Sequence, residues 1–247
     1  MQLDGKVALV TGSGRNIGRA VAISLAREGA TVVVNARSNR DEAEAVAQEI
    51  RSLGGRASAM LADVGDRNEL EGMLAAILRA FGHIDIVVNN AATRPSVPIV
   101  DMTYEDWRSV LAADLDAAFI TSKHAVPGMI ERGWGRIINF SGLSAFQGSH
   151  EGVHISAAKV GIIGLTRALS SELAHAGILT NCIVPGLIDT FRDGGLSARL
   201  LSRLGNIPVG RLGTPEEIAA LCTFLCTDAA AFITGQTIHV NGGEGAC

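Results

Sequence analysis

The sequence predicts an α/β fold: a single doubly wound (Rossmann) domain with a seven-stranded parallel sheet flanked by helices on both faces. Short, nearly continuous apolar runs alternate with helix-period segments along the whole chain, as in a parallel sheet that is buried on both faces. A glycine-rich loop directly follows the first apolar run. No linker, repeat or low-complexity segment interrupts the 247 residues, so we expect one domain over 1–247.

The predicted strands are the apolar runs bounded by turn residues, at 7–10, 31–35, 57–61, 84–89, 136–140, 179–184 and 237–240. Helix-period segments fill the intervals at 17–28, 40–53, 67–81, 105–132, 155–175 and 215–226. Thr214 followed by Pro215 is a typical beginning for the last of these helices. Two stretches fit neither period, near 143–153 and 187–206. We expect them to be substrate loops over the carboxyl ends of the strands.

The composition excludes several classes of protein. Apolar residues make up 47% of the chain and charged residues 19%, which supports a large core and excludes a disordered chain. The net charge is −4 with no long run of one sign, so we expect no nucleic-acid partner. No apolar run approaches the roughly 20 residues that span a bilayer, so we expect no membrane association. The start lacks the pattern of a signal peptide, which predicts a cytoplasmic protein.

The four cysteines indicate neither a disulfide framework nor a metal site. They are Cys182, Cys222, Cys226 and Cys247, without a CxxC pair or a histidine at ligand spacing. Cys222 and Cys226 share one helix face, where buried inert thiols are typical.

The loop after the first strand has the pattern of a dinucleotide site. It runs Thr11-Gly-Ser-Gly-Arg-Asn-Ile-Gly18 and leads directly into a helix. Glycines let such a loop turn tightly against a pyrophosphate, whose charge is bound by the free amides at the helix start. The loop residues expected to contact the cofactor are Gly12, Ser13, Arg15, Asn16, Ile17 and Gly18.

The end of the second strand favours NADP(H) over NAD(H). A carboxylate about 20 residues beyond the loop would bind the 2′-hydroxyl of NAD, whereas cations there suit a 2′-phosphate. Ala36 holds that place and is followed by Arg37 and Ser38. Arg37 and Arg15 can both make charge-assisted contacts with a phosphate. The alternative is that both arginines are solvated surface charges.

The spacing TGxxxxxG and the triplet Asn89-Asn-Ala91 resemble the short-chain dehydrogenase/reductase family, in particular its 3-oxoacyl-carrier-protein-reductase-like members. The resemblance implies the α/β fold, a nicotinamide cofactor and hydride transfer to a carbonyl or from an alcohol of a small-molecule substrate. It extends in the family's order through Asp63-Val64, Lys159, Pro185-Gly186 and the segment ITGQTIHVNGG at 233–243.

The resemblance assigns further residues to the cofactor. It implies that 63–64 hold the adenine, that 90–92 line the ribose and that 185–190 hold the nicotinamide end. Asn16 stands where the family has glycine, and asparagine tolerates left-handed backbone angles best after glycine, so we expect the loop conformation to be kept. The additional residues are Asp63, Val64, Asn90, Ala91, Ala92, Lys159, Pro185, Gly186, Ile188 and Thr190.

The sequence departs from the family at its catalytic positions. The resemblance implies a tyrosine proton donor four residues before the lysine, a serine that polarises the carbonyl and an asparagine in the proton relay. Lys159 is present, but Ile155 stands at the tyrosine position. Gly142 stands at the serine position and Asp114 at the asparagine position. The loss of a general acid costs about 10²- to 10⁴-fold in rate.

Few residues can replace the missing donor. His154 is one residue from the tyrosine position, about 100° around the helix. His150 lies in the loop before it, and either histidine could supply a proton near neutral pH or contact substrate. Ser144 is the better placed serine beside Gly142, because strand register points Ser141 away.

Three cationic or acidic positions complete the candidates. Asp114 is expected to pair with Lys159 and keep its ammonium charged, as a structural pair or as part of the chemistry. Arg94 and Arg192 could bind an anionic substrate, and the alternative is that they are solvated surface charges.

Three functions follow from these observations. The first is an NADP(H)-binding oxidoreductase with an altered proton donor. The second is a cofactor-binding pseudoenzyme or partner subunit, and the third is non-redox hydration, elimination or carbon–carbon cleavage in the same pocket. The helices 105–132 and 155–175 carry more apolar surface than one sheet face covers, and family members pair through them, so we expect a homotetramer or homodimer.

Overall fold

The computed structural model describes residues 1–190 and 204–245. Within these ranges the chain forms a seven-stranded parallel sheet in the order β3-β2-β1-β4-β5-β6-β7, which confirms the predicted fold class. The strand ends differ from the predicted ones by one or two residues at most. The strands are β1 (Val7–Val10), β2 (Thr31–Ala36), β3 (Arg56–Leu61), β4 (Ile86–Asn89), β5 (Gly135–Phe140), β6 (Ile178–Pro185) and β7 (Thr237–Val240).

The helices that cover the sheet begin at side-chain caps where the sequence supplies them. Thr214 and Glu217 form a reciprocal capping box at the predicted start of the last helix, and Thr103 and Asp106 form another. The helices are α1 (Asn16–Arg27), α2 (Arg40–Ser52), α3 (Arg67–Phe81), α4 (Tyr104–Leu111), α5 (Ala117–Arg132), α6 (Ser144–Gln147), α7 (Val153–Leu173) and α8 (Pro215–Cys226). None of these described helices is long and apolar enough to cross a membrane.

Two predicted segments need correction. The single helix predicted over 105–132 is wrong, because a π-helical segment, Ala112–Asp116, separates α4 from α5. Such a segment widens the helix locally and is often found at functional sites. The predicted loop near 143–153 contains the short helix α6. The predicted loop near 187–206 lies partly outside the described residues, which end at 190 and resume at 204.

The sheet is buried between two helical layers. Val21 of α1, Val46 of α2 and Ile218 of α8 belong to the apolar core on one face. Leu74 of α3 and Met129 of α5 belong to the core on the other face, together with Leu173 at the end of α7. The strand order reverses between β1 and β4, which opens a crevice at the carboxyl ends of these two strands, where open α/β sheets bind their ligands.

Candidate active site

A cleft of about 1070 Å³ opens at this crevice. Its walls are the segments that follow β1 to β6, together with the start of α7. Every residue that the sequence analysis assigned to the cofactor lines the cleft, except Ser13. The parallel strands bring these residues together because all of them end at the same edge of the sheet.

The glycine-rich loop packs too tightly for side chains. Gly12 has a φ of 60°, and a β-carbon there would lie 3.0 Å from the Cα of Ala91. A β-carbon at Gly18 would collide with the carbonyl oxygen of Gly12 and lie 2.6 Å from the Asn90 side chain. Asn16 has a φ of 52°, the left-handed conformation expected of it. The loop therefore forms a cradle of the kind that a dinucleotide pyrophosphate requires at a helix start.

Ser13, which was predicted to contact the cofactor, does not line the cleft. Its side chain is buried, and its hydroxyl donates to the carbonyl of Val10 (2.7 Å). The same oxygen accepts from the backbone N–H of Asn35 (3.0 Å). Ser13 therefore holds the glycine-rich loop against β1 and β2 through hydrogen bonds in the protein interior.

The end of the cleft beside β2, which the sequence analysis assigned to the adenosine, carries the two expected arginines. The side chains of Arg15 and Arg37 are exposed and line the cleft, and neither guanidinium has a hydrogen-bond or ion-pair partner in the described parts of the chain. Asp63 lies opposite and accepts from the backbone N–H of Gly65 (2.9 Å). Sequence reasoning missed Asn39 and Glu42, which also line this end. The signal was available, since Asn39 caps α2 at the end of the β2 loop.

Lys159 and Asp114 form a buried ion pair at the inner wall. The Nζ of Lys159 lies 3.0 Å from Oδ2 of Asp114, and the two side chains are 4% and 0% exposed. At this separation Oδ2 is within reach of an N–H of the ammonium. Nζ donates to the carbonyl of Phe140 (3.3 Å). The pair thus joins α7 to the π-helical segment and to the end of β5.

The electrostatics of Lys159 follow from this burial. Loss of hydration lowers the pKa of Lys159, because it disfavours the charged ammonium. The carboxylate of Asp114 opposes this effect and raises the pKa, whereas the charge of Arg94 lowers it further. The net result is a pKa below that of an ordinary lysine.

The family's tyrosine and serine positions carry an isoleucine and a glycine. Ile155 lies one helical turn before Lys159, is nearly buried, and packs with Val110 and Ala158. A β-carbon at Gly142 would meet only the Oγ of Ser144, at 3.8 Å.

The two serines near Gly142 differ in direction. Ser141 turns its hydroxyl into the protein, where it donates to the carbonyl of Lys159 (2.8 Å). Both serines line the cleft, but the hydroxyl of Ser141 is already used in this hydrogen bond. Ser144 therefore stays the candidate donor to a ligand.

His154, which was predicted as a possible proton donor, does not line the cleft. Its side chain is completely buried, and Nδ1 accepts from the backbone N–H of Ile155 (3.0 Å). The rotation of one residue along α7 turns it into the protein interior. His150 does line the cleft, but at its mouth, where its side chain is 78% exposed and its Nδ1 lies 3.8 Å from Glu151.

The loop after β4 holds Arg94 at the cleft. The backbone N–H of Thr93 donates to Oδ1 of Asp114 (2.7 Å). Ser96 donates to the carboxylate of Glu151 (2.7 Å), which closes this loop against the segment before α7. Arg94 lines the cleft between these two anchors, exposed and without a partner in the described residues. Arg192 lies outside the described residues.

A buried polar network beneath the cleft was not predicted. The side chain of Asn89 donates to that of Asn139 (2.8 Å) and accepts from Thr121 (2.7 Å). Asn139 donates in turn to the hydroxyl of Thr166 (3.0 Å). The network links β4, β5, α5 and α7, and it holds the strand ends that carry the site. The only sequence signal was polar residues inside otherwise apolar strands.

Comparison with known proteins agrees with this architecture. The family model described as enoyl-(acyl carrier protein) reductase matches residues 12–244. The 3-oxoacyl-[acyl-carrier-protein] reductase FabG of Aquifex aeolicus is 39% identical over 245 residues, 98% of each chain. The 3-oxoacyl-[acyl-carrier-protein] reductase of a Synechocystis strain is 40% identical over 242 residues, which cover 98% of this chain and 97% of the relative.

A solved structure shares the fold over its whole length. It is described as an NAD(P)-dependent gluconate 5-dehydrogenase from Beutenbergia cavernae with NADP bound at low occupancy, and it superposes with a TM-score of 0.91. The two chains are 37% identical, and 98% of each is covered. From the fold, the cleft and these relatives, the chain belongs to the short-chain dehydrogenase/reductase family.

Proposed function

We propose that the protein is an NADP(H)-dependent oxidoreductase that reduces a carbonyl or oxidises an alcohol without a tyrosine as its proton donor. The observation that carries this proposal is the inner wall of the cleft, where Lys159 lies one helical turn after Ile155 rather than after a tyrosine. Bound at the cleft, the dinucleotide supplies or accepts the hydride. The chain's own residues must bind it, exclude water and move one proton.

The proposed preference for NADP(H) over NAD(H) is supported by the residues at the end of the cleft beside β2. Arg15 and Arg37 are free to meet a 2′-phosphate, and Ala36 offers no acceptor to a 2′-hydroxyl. The cradle formed by Gly12 and Gly18 fits the pyrophosphate. The NADP in the related Beutenbergia structure supports the same preference.

The proposal that the proton does not come from a tyrosine is supported by the family resemblance and by the packing around Lys159. Ile155 and Gly142 leave no phenol or β-hydroxyl beside Lys159, so the proton and the polarisation of the carbonyl must come from other groups. The reductase and dehydrogenase names of the relatives support a carbonyl or alcohol substrate.

A second candidate is a cofactor-binding partner subunit without turnover of its own. The buried pair of Lys159 and Asp114 favours it, because such a pair can hold α7 in place without taking part in chemistry. This candidate predicts tight NADPH binding and no hydride transfer.

Self-association is also proposed, as a homodimer or homotetramer. Phe119 of α5 and Val160 of α7 are each 51% exposed. Large apolar side chains on two long helices of the same layer are typical of an interface between subunits.

The test combines binding and turnover in the wild-type protein. Calorimetry with NADPH and NADH measures cofactor preference, and NADPH oxidation is followed with a panel of ketones. The proposal predicts tighter NADPH binding together with formation of the alcohol. Binding without oxidation of NADPH by any ketone supports the partner-subunit candidate, and conversion of hydroxyacids or diketones without cofactor turnover supports non-redox chemistry.

A further inference from the structure

Few of the described residues at the inner end of the cleft can release a proton. His150 and Glu151 lie at the mouth, and His154 is enclosed in the protein. Arg94 carries a guanidinium, which does not deprotonate in proteins. Among the described titratable residues that line the cleft, Lys159 is the buried one, and it lies one helical turn after Ile155.

The ammonium of Lys159 can donate a further hydrogen bond to a ligand. It carries three N–H groups, and one of them makes an aligned hydrogen bond, to the carbonyl of Phe140. A second N–H can point to Oδ2 of Asp114, which lies 3.0 Å from Nζ. The described residues thus leave Nζ able to donate into the cleft that it lines.

Asp114 is held so that it must face this ammonium. Its other oxygen, Oδ1, accepts from the backbone N–H of Thr93 (2.7 Å), which fixes the carboxylate. The side chain projects from the π-helical segment, whose wider turn places it under the loop after β4.

We propose that Lys159 itself donates the proton to the carbonyl oxygen during reduction. Asp114 is the residue that positions the ammonium and stabilises its positive charge. The inference rests on the proposed oxidoreductase function. The N–H bond at Nζ breaks as the O–H bond of the product alcohol forms, while the carbonyl carbon gains the hydride. Lys159 is left as a neutral amine and regains its proton from water. In the direction of alcohol oxidation the neutral amine accepts the proton.

The pH dependence follows from the groups around Nζ. Burial and the charge of Arg94 lower the pKa of Lys159, the charge of Asp114 raises it, and the buried thiol of Cys182, whose own pKa is about 12, is uncharged near neutrality. Reduction requires the ammonium, so it is lost as the pH rises through the pKa of Lys159. Removal of the Asp114 charge lowers this pKa, and the alkaline limit of reduction moves to lower pH.

The chain offers a direct measurement of this pKa. It has three lysines, Lys6, Lys123 and Lys159, so ¹⁵N NMR of the side-chain amines resolves few signals. In the NADPH-bound wild type, we expect the Lys159 signal to titrate at the same pH as the alkaline limit of ketone reduction. In Asp114→Asn both values should fall together. A limit of reduction that does not coincide with the Lys159 titration, or that stays fixed while the titration moves, overturns the inference without any need for a Lys159 variant.

Substitution of Lys159 provides a second test of the inference. Lys159→Arg keeps the positive charge but cannot release a proton near neutrality, so reduction should fall by about 100-fold or more while NADPH binding persists. Lys123→Arg, an exposed lysine of α5 outside the cleft, is the matched control and should leave activity unchanged. Reduction retained within tenfold in Lys159→Arg overturns this inference alone. No turnover in the wild type at any pH overturns the proposed function and the inference with it.

Discussion

The backbone N–H of Thr93 donates to Asp114 at 2.7 Å, so the loop that carries Arg94 is fixed by the same carboxylate that faces Lys159. A change at Asp114 therefore acts on two walls of the cleft at once. It frees the ammonium from its counter-ion and loosens the loop after β4. An ordinary structural ion pair would join two helices without contacting a ligand-binding loop. The pair of Asp114 and Lys159 differs, because Asp114 also binds the loop after β4.

The first prediction concerns cofactor choice. Arg15→Ala combined with Arg37→Ala should weaken NADPH binding by about 10- to 100-fold, since each charge-assisted contact contributes roughly 1.5–3 kcal/mol and part of it is screened at an exposed site. NADH affinity should change less than twofold. Calorimetric titration measures both, and Arg27→Ala at the exposed end of α1 is the control. Equal affinities for NADPH and NADH in the wild type would mean that both arginines face solvent.

The second prediction concerns the altered site. Ile155→Tyr combined with Gly142→Ser should raise NADPH-dependent reduction of an activated ketone by at least about tenfold, a small part of what a general acid contributes. The space at Gly142 accepts a serine, because Ser144 Oγ at 3.8 Å is its nearest neighbour. The site of Ile155 is tighter, since it packs on Val110, so some loss of stability is expected.

Two controls separate the causes in that experiment. Asp114→Asn added to the double variant frees Lys159 to approach the new phenol, and it should increase the gain. Ile155→Phe has nearly the same volume as the tyrosine without its hydroxyl, and it should give no gain. A gain in the phenylalanine variant equal to that in the tyrosine variant would assign the effect to packing rather than to proton transfer.

The third prediction concerns the substrate. Arg94→Ala should raise the KM of a ketone that carries a carboxylate by about tenfold, because a charge-assisted contact is lost. A neutral ketone of the same length should keep its KM. Steady-state kinetics with this pair of substrates measures the difference, and Arg79→Ala, an exposed arginine of α3 outside the cleft, is the matched control. An equal change for both ketones would show that Arg94 does not read the charge of the substrate.

Much of the fold follows from the sequence because the local signals agree with one another. The seven strands are continuous apolar runs, and a strand buried on both faces requires such runs. The capping box at Thr214 and Glu217 is visible as a local pattern. The glycine loop could be placed because only glycine fits at Gly18.

The orientation of the side chains at the site could not be predicted, because it depends on the three-dimensional packing of the helices and strands. The apolar period continues through 112–116, so nothing in the sequence marks the π-helical turn that directs Asp114 to Lys159. His154 and Ile155 are neighbours on α7, about 100° apart around the helix, and only the orientation of the helix decides that Ile155 lines the cleft. Ser13 belongs to a cofactor-loop pattern, yet its hydroxyl completes backbone hydrogen bonds of β1 and β2.

The fourth prediction concerns assembly. Light scattering of the wild type should report a multiple of 25.7 kDa, and Phe119→Glu with Val160→Glu should shift it toward the monomer, since two charges would be buried without partners. Leu53→Glu, at the exposed residue that follows α2, is the control and should leave the mass unchanged. A single 25.7 kDa species for the wild type at micromolar concentration would contradict the prediction.

The most direct test of the central claim is the oxidation of NADPH by the wild-type protein in the presence of activated ketones, with the alcohol product measured against the NADPH consumed. The account predicts one alcohol formed per NADPH oxidised, and a rate that falls as the pH rises through the pKa of Lys159. Tight NADPH binding with no oxidation by any ketone at any pH, in the wild type and in the Ile155→Tyr, Gly142→Ser variant alike, would contradict it.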